Sequence, residues 1–241
     1  ISMEDLQKII DETEFYHSIE INNFKIKGYY NWEPYFSSIK DLFDLKGKKV
    51  LDVGPADGYF SHKFCSLGAF VEAVDIPSQI DRDHYNYGEV NKSFNHWKKK
   101  SNHNFNFEIF NKIHKNDIKL HFKNIYELEN LNKLYDLVFC NDLLLHLTDP
   151  IKAIDQLTKV SNGYILIGNP IIKKNFFNRN KSVVNYLGHT KKNAFYIFNE
   201  IGFINLIHTF RLKIEKKIII YPDKKDFFSN MPRMFVLAKK Y

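Results

Sequence analysis

Cysteine is nearly absent: the 241 residues hold two, Cys65 and Cys140, each inside an apolar stretch and neither in a CxxC or Cys/His spacing. A disulfide framework and a structural zinc site are therefore not expected, and both thiols read as core. No window approaches the roughly 18–20 uninterrupted apolar residues that cross a bilayer. The opening Ile1-Ser2-Met3-Glu4-Asp5 also lacks a basic segment leading into an apolar one. A cytoplasmic protein without a membrane span is expected. Internal repeats, a Pro/Gly/Ser-rich linker, Gly-x-Ser-x-Gly and carboxylate–histidine sets at metal spacing are missing too. Those gaps argue against a solenoid, a nucleophile-elbow hydrolase and a metal-dependent enzyme.

Acid is in deficit, with 28 Asp and Glu against 35 Lys and Arg, a formal charge of +7. A basic protein attracts polyanions. The lysines are scattered, however, and Lys98-Lys99-Lys100 is the only run of three. A solvated face is the plainer reading. With 44% hydrophobic and 26% charged residues, the chain has the balance of one globular domain, or one with a small appendage.

The order of elements is informative. Apolar runs suited to strands lie at Lys49–Val53, Phe70–Val74, Ile118–Phe122, Leu137–Cys140 and Tyr164–Gly168, and helical spacing lies between them at Tyr59–Leu67 and Pro150–Lys159. Such alternation predicts a parallel sheet covered on both faces. Beyond it, Lys191–Ile201 reads as a helix closed by Gly202. Phe203–Ile214 and Met234–Lys239 read as strands forming an antiparallel pair at the sheet edge, with another short strand at Ile218–Tyr221. Residues 1–46 and the stretch from Asp81 to Asn116 do not fit the alternation, and helical additions are expected there.

Val50-Leu51-Asp52-Val53-Gly54-Pro55-Ala56-Asp57-Gly58 is the strongest local signal. A strand entering a turn with Gly54 and Gly58 lets a ligand approach the backbone, and the following helix directs its first amides at that space. Asp75 comes 23 residues after Asp52, at the end of the next strand, where a carboxylate can accept both hydroxyl protons of a ribose. A Gly-x-Gly-x-x-Gly dinucleotide fingerprint is absent, since Ala56 takes the middle place. An acid at the strand end suits a ligand with an ammonium or sulfonium better than a pyrophosphate.

Val50 to Gly58 resembles the first motif of class I S-adenosylmethionine (SAM)-dependent methyltransferases, and Asp75 matches their ribose-binding acid. The resemblance implies a Rossmann-like α/β fold with a mostly parallel seven-stranded sheet of order 3-2-1-4-5-7-6, helices on both faces and SAM as cofactor. On that pattern Asn124 and Ile125 match the adenine-contacting position. Cofactor-binding residues would be Asp52, Gly54, Pro55, Ala56, Asp57, Gly58, Asp75, Ile76, Asn124, Ile125 and Asn141. Phe15-Tyr16-His17-Ser18-Ile19-Glu20 and Lys27-Gly28-Tyr29-Tyr30-Asn31-Trp32 look like the lead-in of bacterial methyltransferases related to the tRNA wobble-uridine carboxymethyl-transfer enzymes. This chain lacks their longer N-terminal region. It also has Leu144 and Leu145 where they place the residues that hold a carboxylated cofactor. Ordinary SAM and a small-molecule acceptor follow.

Residues 1–46 are thus expected to form a lid on a SAM-binding domain of residues 47–241. Candidate catalytic residues are His146 or His17 as general base, with Asp142 orienting a substrate hydroxyl. Tyr16, Tyr30, Trp32, Lys173 and Arg179 are candidate substrate contacts, the last two as a basic rim for an acidic acceptor. The resulting expectation is O-methylation of a sugar, phosphorylated metabolite or cell-surface polysaccharide precursor. A tRNA-modifying enzyme and a non-catalytic SAM-binding module are the alternatives.

Overall fold

The computed structural model describes residues 3–21, 24–77, 82–83, 103–188, 194–221 and 231–241. The Lys98–Lys100 run and most of the stretch from Asp81 to residue 102 lie outside them. The chain opens with α1 (Met3–Glu12), the antiparallel pair β1 (Ile19–Ile21) and β2 (Phe24–Ile26), and α2 (Glu33–Ile39). The alternating part follows: β3 (Lys49–Val53), α3 (Tyr59–Ser66), β4 (Phe70–Asp75), α4 (His103–His114), β5 (Lys119–Phe122) and a 3-10 helix (Ile125–Leu131). It continues through β6 (Tyr135–Asn141), a 3-10 turn (Leu144–His146), α5 (Pro150–Lys159) and β7 (Ser161–Ile172). The chain closes with β8 (Val184–Tyr186), β9 (Tyr196–Asn199), α6 (Glu200–His208), β10 (Leu212–Ile220) and β11 (Arg233–Lys240).

The main path of the sheet runs β10-β11-β7-β6-β3-β4-β5. Strands β3 to β7 are parallel, and β11 is antiparallel between β7 and β10. Counted from β3 with β8 and β9 set aside, this is the expected 3-2-1-4-5-7-6. Both faces are buried, and the period of two sorts the strands. Val138, Cys140, Ile165 and Ile167 join α5 and α6 on one face, whereas Phe139, Leu166 and Phe235 join α2, α3 and Phe107 on the other. Phe139 lies 4.9 Å from both the Phe60 and Phe64 rings, locking α3 onto the sheet. Truncating such a side chain to alanine costs about 3–5 kcal/mol. Of the two thiols, Cys140 is buried and Cys65 only partly so.

Four expectations are corrected. Residues 1–46 are not helical throughout, since the β1–β2 hairpin separates α1 from α2. Lys191–Ile201 is not a helix within the described residues: Tyr196–Asn199 pairs with β7 and β8 as a strand. Gly202 does not close a helix but sits in the first turn of α6, where a Cβ would meet the Val183 carbonyl oxygen at 2.8 Å and where its amide donates to the Asn199 cap at 2.8 Å. Phe203 and Ile207, one turn apart and both buried, make 200–208 helical, so the strand expected from Phe203 begins only at Leu212. Ile218 to Ile220 belong to that same strand. No helix among the described residues is long and apolar enough to cross a membrane.

Candidate functional site

A cavity of about 400 Å³ opens at the carboxyl ends of β3, β4 and β6, the crevice that open α/β sheets offer to ligands. Its floor is the turn after β3. The turn is held open by left-handed backbone at Gly54 (φ +75°), Ala56 (φ 49°) and Gly58 (φ +92°), with the Gly54 amide donating to the Val74 carbonyl at 2.9 Å. The positive φ of Gly54 is what favours glycine there, since an added Cβ would meet only the movable tip of Leu143 at 2.9 Å. Asp142, following β6, is also left-handed (φ 49°), and its amide donates to Gly168 at 3.0 Å. For a residue with a Cβ that backbone is strained, which concentrates at functional sites.

Two carboxylates face the cavity from adjacent parallel strands. Asp52 is buried and accepts a 2.6 Å hydrogen bond from the Ser61 hydroxyl. Burial, countered in part by that bond and reinforced by the charge of Asp75, pushes its pKa up to about 7. Burial also raises Asp75, against the pull of Arg82 and His103; its Oδ1 accepts from the Ile76 amide at 2.8 Å. An arrangement of this kind favours a ligand that brings hydroxyl protons or positive charge. The buried Oδ1 of Asn141 and Nε1 of Trp32, both on residues that line the cavity, have no hydrogen-bond partner among the described residues. They are places for ligand polar atoms.

The N-terminal segment roofs this space. Ser18 donates to the Tyr30 carbonyl at 2.7 Å and Tyr30 to the Tyr16 carbonyl at 2.9 Å, bringing Tyr16, His17, Tyr30 and Trp32 to the cavity wall. Gly28 is required where these chains meet, because a Cβ there would lie 2.2 Å from the His17 carbonyl carbon. His17 is buried and its Nδ1 accepts the Tyr59 amide at 3.4 Å. Burial, opposed by Asp57 and reinforced by His103, lowers its pKa to about 4. His146 lines the cavity from the turn after β6.

Most of the residues singled out from sequence meet here: His17, His146 and Asp142; Asp52, Gly54, Pro55, Ala56, Asp75, Ile76, Asn124, Ile125 and Asn141; Tyr16, Tyr30 and Trp32. Asn124 also caps the 3-10 helix, accepting from the Tyr126 amide at 3.1 Å. Four stand elsewhere. Asp57 is wholly buried beneath the roof, where it accepts from the amides of Tyr16 and His17, from His103 Nδ1 at 2.9 Å and from Asn106 at 3.2 Å. Gly58 faces α4, since a Cβ there would meet the Phe107 ring at 2.8 Å. Lys173 and Arg179 lie off the cavity, on the exposed chain after β7.

Sequence reasoning missed Arg82, Asp83, Lys123 and His103 in the lining, and Arg233 behind it. Arg233 is 3% exposed, donates through Nε to Asp142 at 2.8 Å and through Nη1 to the Tyr35 hydroxyl at 3.1 Å, and stacks on the Trp32 and Tyr35 rings. Its rarity was the available signal, because the lysine-rich chain has only four arginines. Among the described residues, no group of three or more His, Cys, Asp or Glu could hold a metal ion.

Residues 29–179, well over half of the chain, match the methyltransferase-domain family. A curated relative, the tRNA U34 carboxymethyltransferase of Campylobacter fetus subsp. fetus, is 26% identical over 147 residues, covering 59% of this chain and 44% of the relative. The chain thus spans less than half the length of the curated relatives it matches. Among solved structures, the N-terminal domain of EvdMO1, determined in the presence of S-adenosylhomocysteine and D-fucose, superposes with a TM-score of 0.63 at 11% identity, over 99% of this chain and 96% of that one. The Burkholderia thailandensis 1,6-didemethyltoxoflavin-N1-methyltransferase superposes with a TM-score of 0.56 at 13% identity, over 86% and 77%. These structural likenesses establish the shared fold.

Proposed function

The chain belongs to the methyltransferase-domain family, and from that premise we propose that it is a SAM-dependent methyltransferase acting on a hydroxyl of a small polar acceptor, such as a sugar, a phosphorylated metabolite or a cell-surface polysaccharide precursor. The observation that carries the reading is the pair Asp52 and Asp75, two carboxylates at the ends of adjacent strands facing one cavity beside the Gly54 turn. A ligand with ribose hydroxyls and an ammonium satisfies both. The volume, about 400 Å³, lies within the roughly 300–1,000 Å³ of small-molecule pockets, and the unpartnered Asn141 oxygen supplies a further acceptor.

When bound, SAM supplies an electrophilic methyl group on its sulfonium. The chain's own residues do the rest. Asp75 would accept from the ribose hydroxyls, Asn124 and Ile125 would frame the base, and the Gly54-Pro55-Ala56 backbone would permit close approach. Asp52 and Asn141 would hold the amino-acid end. Methyl transfer to oxygen is an in-line displacement, so alignment and removal of one proton are what remain. Tyr16, Tyr30 and Trp32 wall off water. Asp142, fixed by Arg233, orients the acceptor hydroxyl, and His146 takes its proton. His17 is the weaker candidate base, because its Nδ1 is engaged and burial lowers its pKa to about 4, making the ring a poor proton acceptor.

A second reading, a tRNA wobble-uridine carboxymethyltransferase, is favoured by the names of the curated relatives and by the net charge of +7. Against it, Leu144 is buried in the core and Arg233 is committed to Asp142. A non-catalytic SAM-binding module would leave SAM unconsumed with every acceptor. Calorimetric titration with SAM, S-adenosylhomocysteine and total tRNA at two salt concentrations separates these readings. We expect micromolar SAM binding, no RNA affinity, and at least tenfold weaker SAM binding by Asp75→Ala, a difference of about 1.4 kcal/mol. Unchanged SAM affinity in that variant would sink the cofactor assignment.

A further inference from the structure

No aspartate or glutamate occurs between Asp155 and Glu200. Within that interval, the chain leaving β7 carries Lys173, Lys174, Arg179 and Lys181, all exposed. Among these cations it presents Phe176 and Phe177, 75% and 83% exposed, and β8 adds Val184 and Tyr186 at 48% and 67%. Adjacent phenylalanines this exposed are unfavourable in water unless a surface covers them.

The display is built. Asn178 Oδ1 accepts from the Asn175 amide at 2.8 Å, Asn175 Oδ1 accepts from the amides of Phe177 and Asn178 at 2.9 and 3.0 Å, and the Asn178 side chain donates to the Lys173 carbonyl at 3.0 Å. The buried Asn199 then donates to the carbonyls of Asn178 and Lys181 at 3.2 and 2.7 Å. Six backbone groups are thereby tied down by three asparagine side chains, leaving the phenylalanine rings pointing outward on a fixed loop. The chain returns beside the cavity, where Phe195 donates its amide to the Leu145 carbonyl in the turn that carries His146.

We propose that this excursion docks the cavity end of the molecule on an anionic phospholipid bilayer, with Phe176 and Phe177 entering the headgroup boundary and the four cations meeting the lipid phosphates. Apolar tips ringed by long cationic side chains are the chemistry of interfacial attachment. Stacking of nucleic-acid bases fits less well, because it needs open ring faces. Arg179 lies over Phe176, 4.9 Å from its centroid, the two phenylalanine rings meet edge to face at 86°, and Val184 has no face to offer. The proposal stands on this surface alone and is independent of the acceptor chosen inside the cavity.

The test is co-sedimentation of the full chain with vesicles of phosphatidylcholine alone and of phosphatidylcholine with phosphatidylglycerol. We expect at least tenfold tighter binding to the anionic vesicles, and at least a tenfold loss in Phe176→Ser/Phe177→Ser. That variant keeps every charge, and its exposed positions leave folding intact, as checked by an unchanged thermal midpoint. A quadruple Lys173→Gln/Lys174→Gln/Arg179→Gln/Lys181→Gln variant should lose the preference for anionic lipid. Equal binding to both vesicles, or anionic binding indifferent to the phenylalanines, overturns the proposal. So does phenylalanine-dependent binding to a single-stranded oligouridylate, or phenylalanine-dependent dimerisation, without binding to vesicles.

Discussion

Burial pushes the Asp52 carboxyl up to about 7 in the ligand-free protein, so it carries a proton in part of the population near neutral pH. A ligand that places positive charge beside it favours the ionised form, so binding expels a proton. Calorimetric titration with SAM at pH 7, in buffers of different ionisation enthalpy, should show more proton release by the wild type than by Asp52→Asn. At pH 9 the difference should vanish. Identical buffer dependence for the two proteins would show that Asp52 does not sense the ligand. The two histidines divide similarly by environment. At saturating SAM and with an acceptor in hand, His146→Ala should lower turnover about 100-fold or more, the usual contribution of a positioned base. His17→Gln should act mainly on stability and keep turnover per folded molecule within about tenfold. Wild-type turnover in His146→Ala removes it from proton transfer.

Among the elements, the roof is the part whose position rests on one side chain. Asp57 belongs to the turn after β3, yet its carboxylate holds the Tyr16 and His17 amides of the N-terminal segment and the His103 and Asn106 side chains of α4. Burial alone would raise its pKa, but the hydrogen bonds from the His103 side chain and the His17 amide bring it below the usual carboxylate range. Breaking such a buried pair costs about 3–5 kcal/mol. Asp57→Asn should therefore destabilise the protein by roughly 3 kcal/mol and speed hydrogen exchange at the Tyr16 and His17 amides well before that of β6. Equal protection of those amides and β6 would mean that Asp57 latches nothing. The same geometry explains what was legible. β3, its glycine turn and α3 are local, so apolar period and turn chemistry reveal them, and Asp75 follows at a fixed spacing. The roof is not local: the partners of Tyr16 and His17 lie 41 and 40 residues away at Asp57, and Arg233 finds Asp142 across 91 residues. Gly202 misled because glycine ends many helices, whereas here it is small so that a neighbouring backbone can pass.

At the scale of the whole molecule, the face that carries the roof is cemented by uncharged histidines, two of them buried and one half-buried. His62 on α3 and His114 on α4 stack at 4.4 Å with rings 6° from parallel, and the Nε2 of each has no partner among the described residues. Burial, with His114 adding to it, lowers His62 to about 3, and burial with Lys63 lowers His114 to about 4; His17 likewise stands at about 4. An unfolded histidine titrates near 6.5, so below that pH the unfolded chain binds more protons than the folded one. The stability these rings contribute is complete above pH 6.5 and is lost as pH falls towards 4. For His17 alone the loss by pH 4 is of the order of 3 kcal/mol. Asp52 and Asp75 work in the opposite sense, because their raised pKa values favour the folded state on acidification, but they are two carboxylates against three histidines. Net acid lability should remain: the thermal midpoint should fall steadily from pH 7 to 4.5, with α3, α4 and the roof loosening together. His114→Phe, which keeps a ring in the stack and removes one titrating group, should flatten that slope. A midpoint independent of pH over this range would mean that the rings accept protons inside the fold, and that the α3–α4 face is open enough to hydrate them.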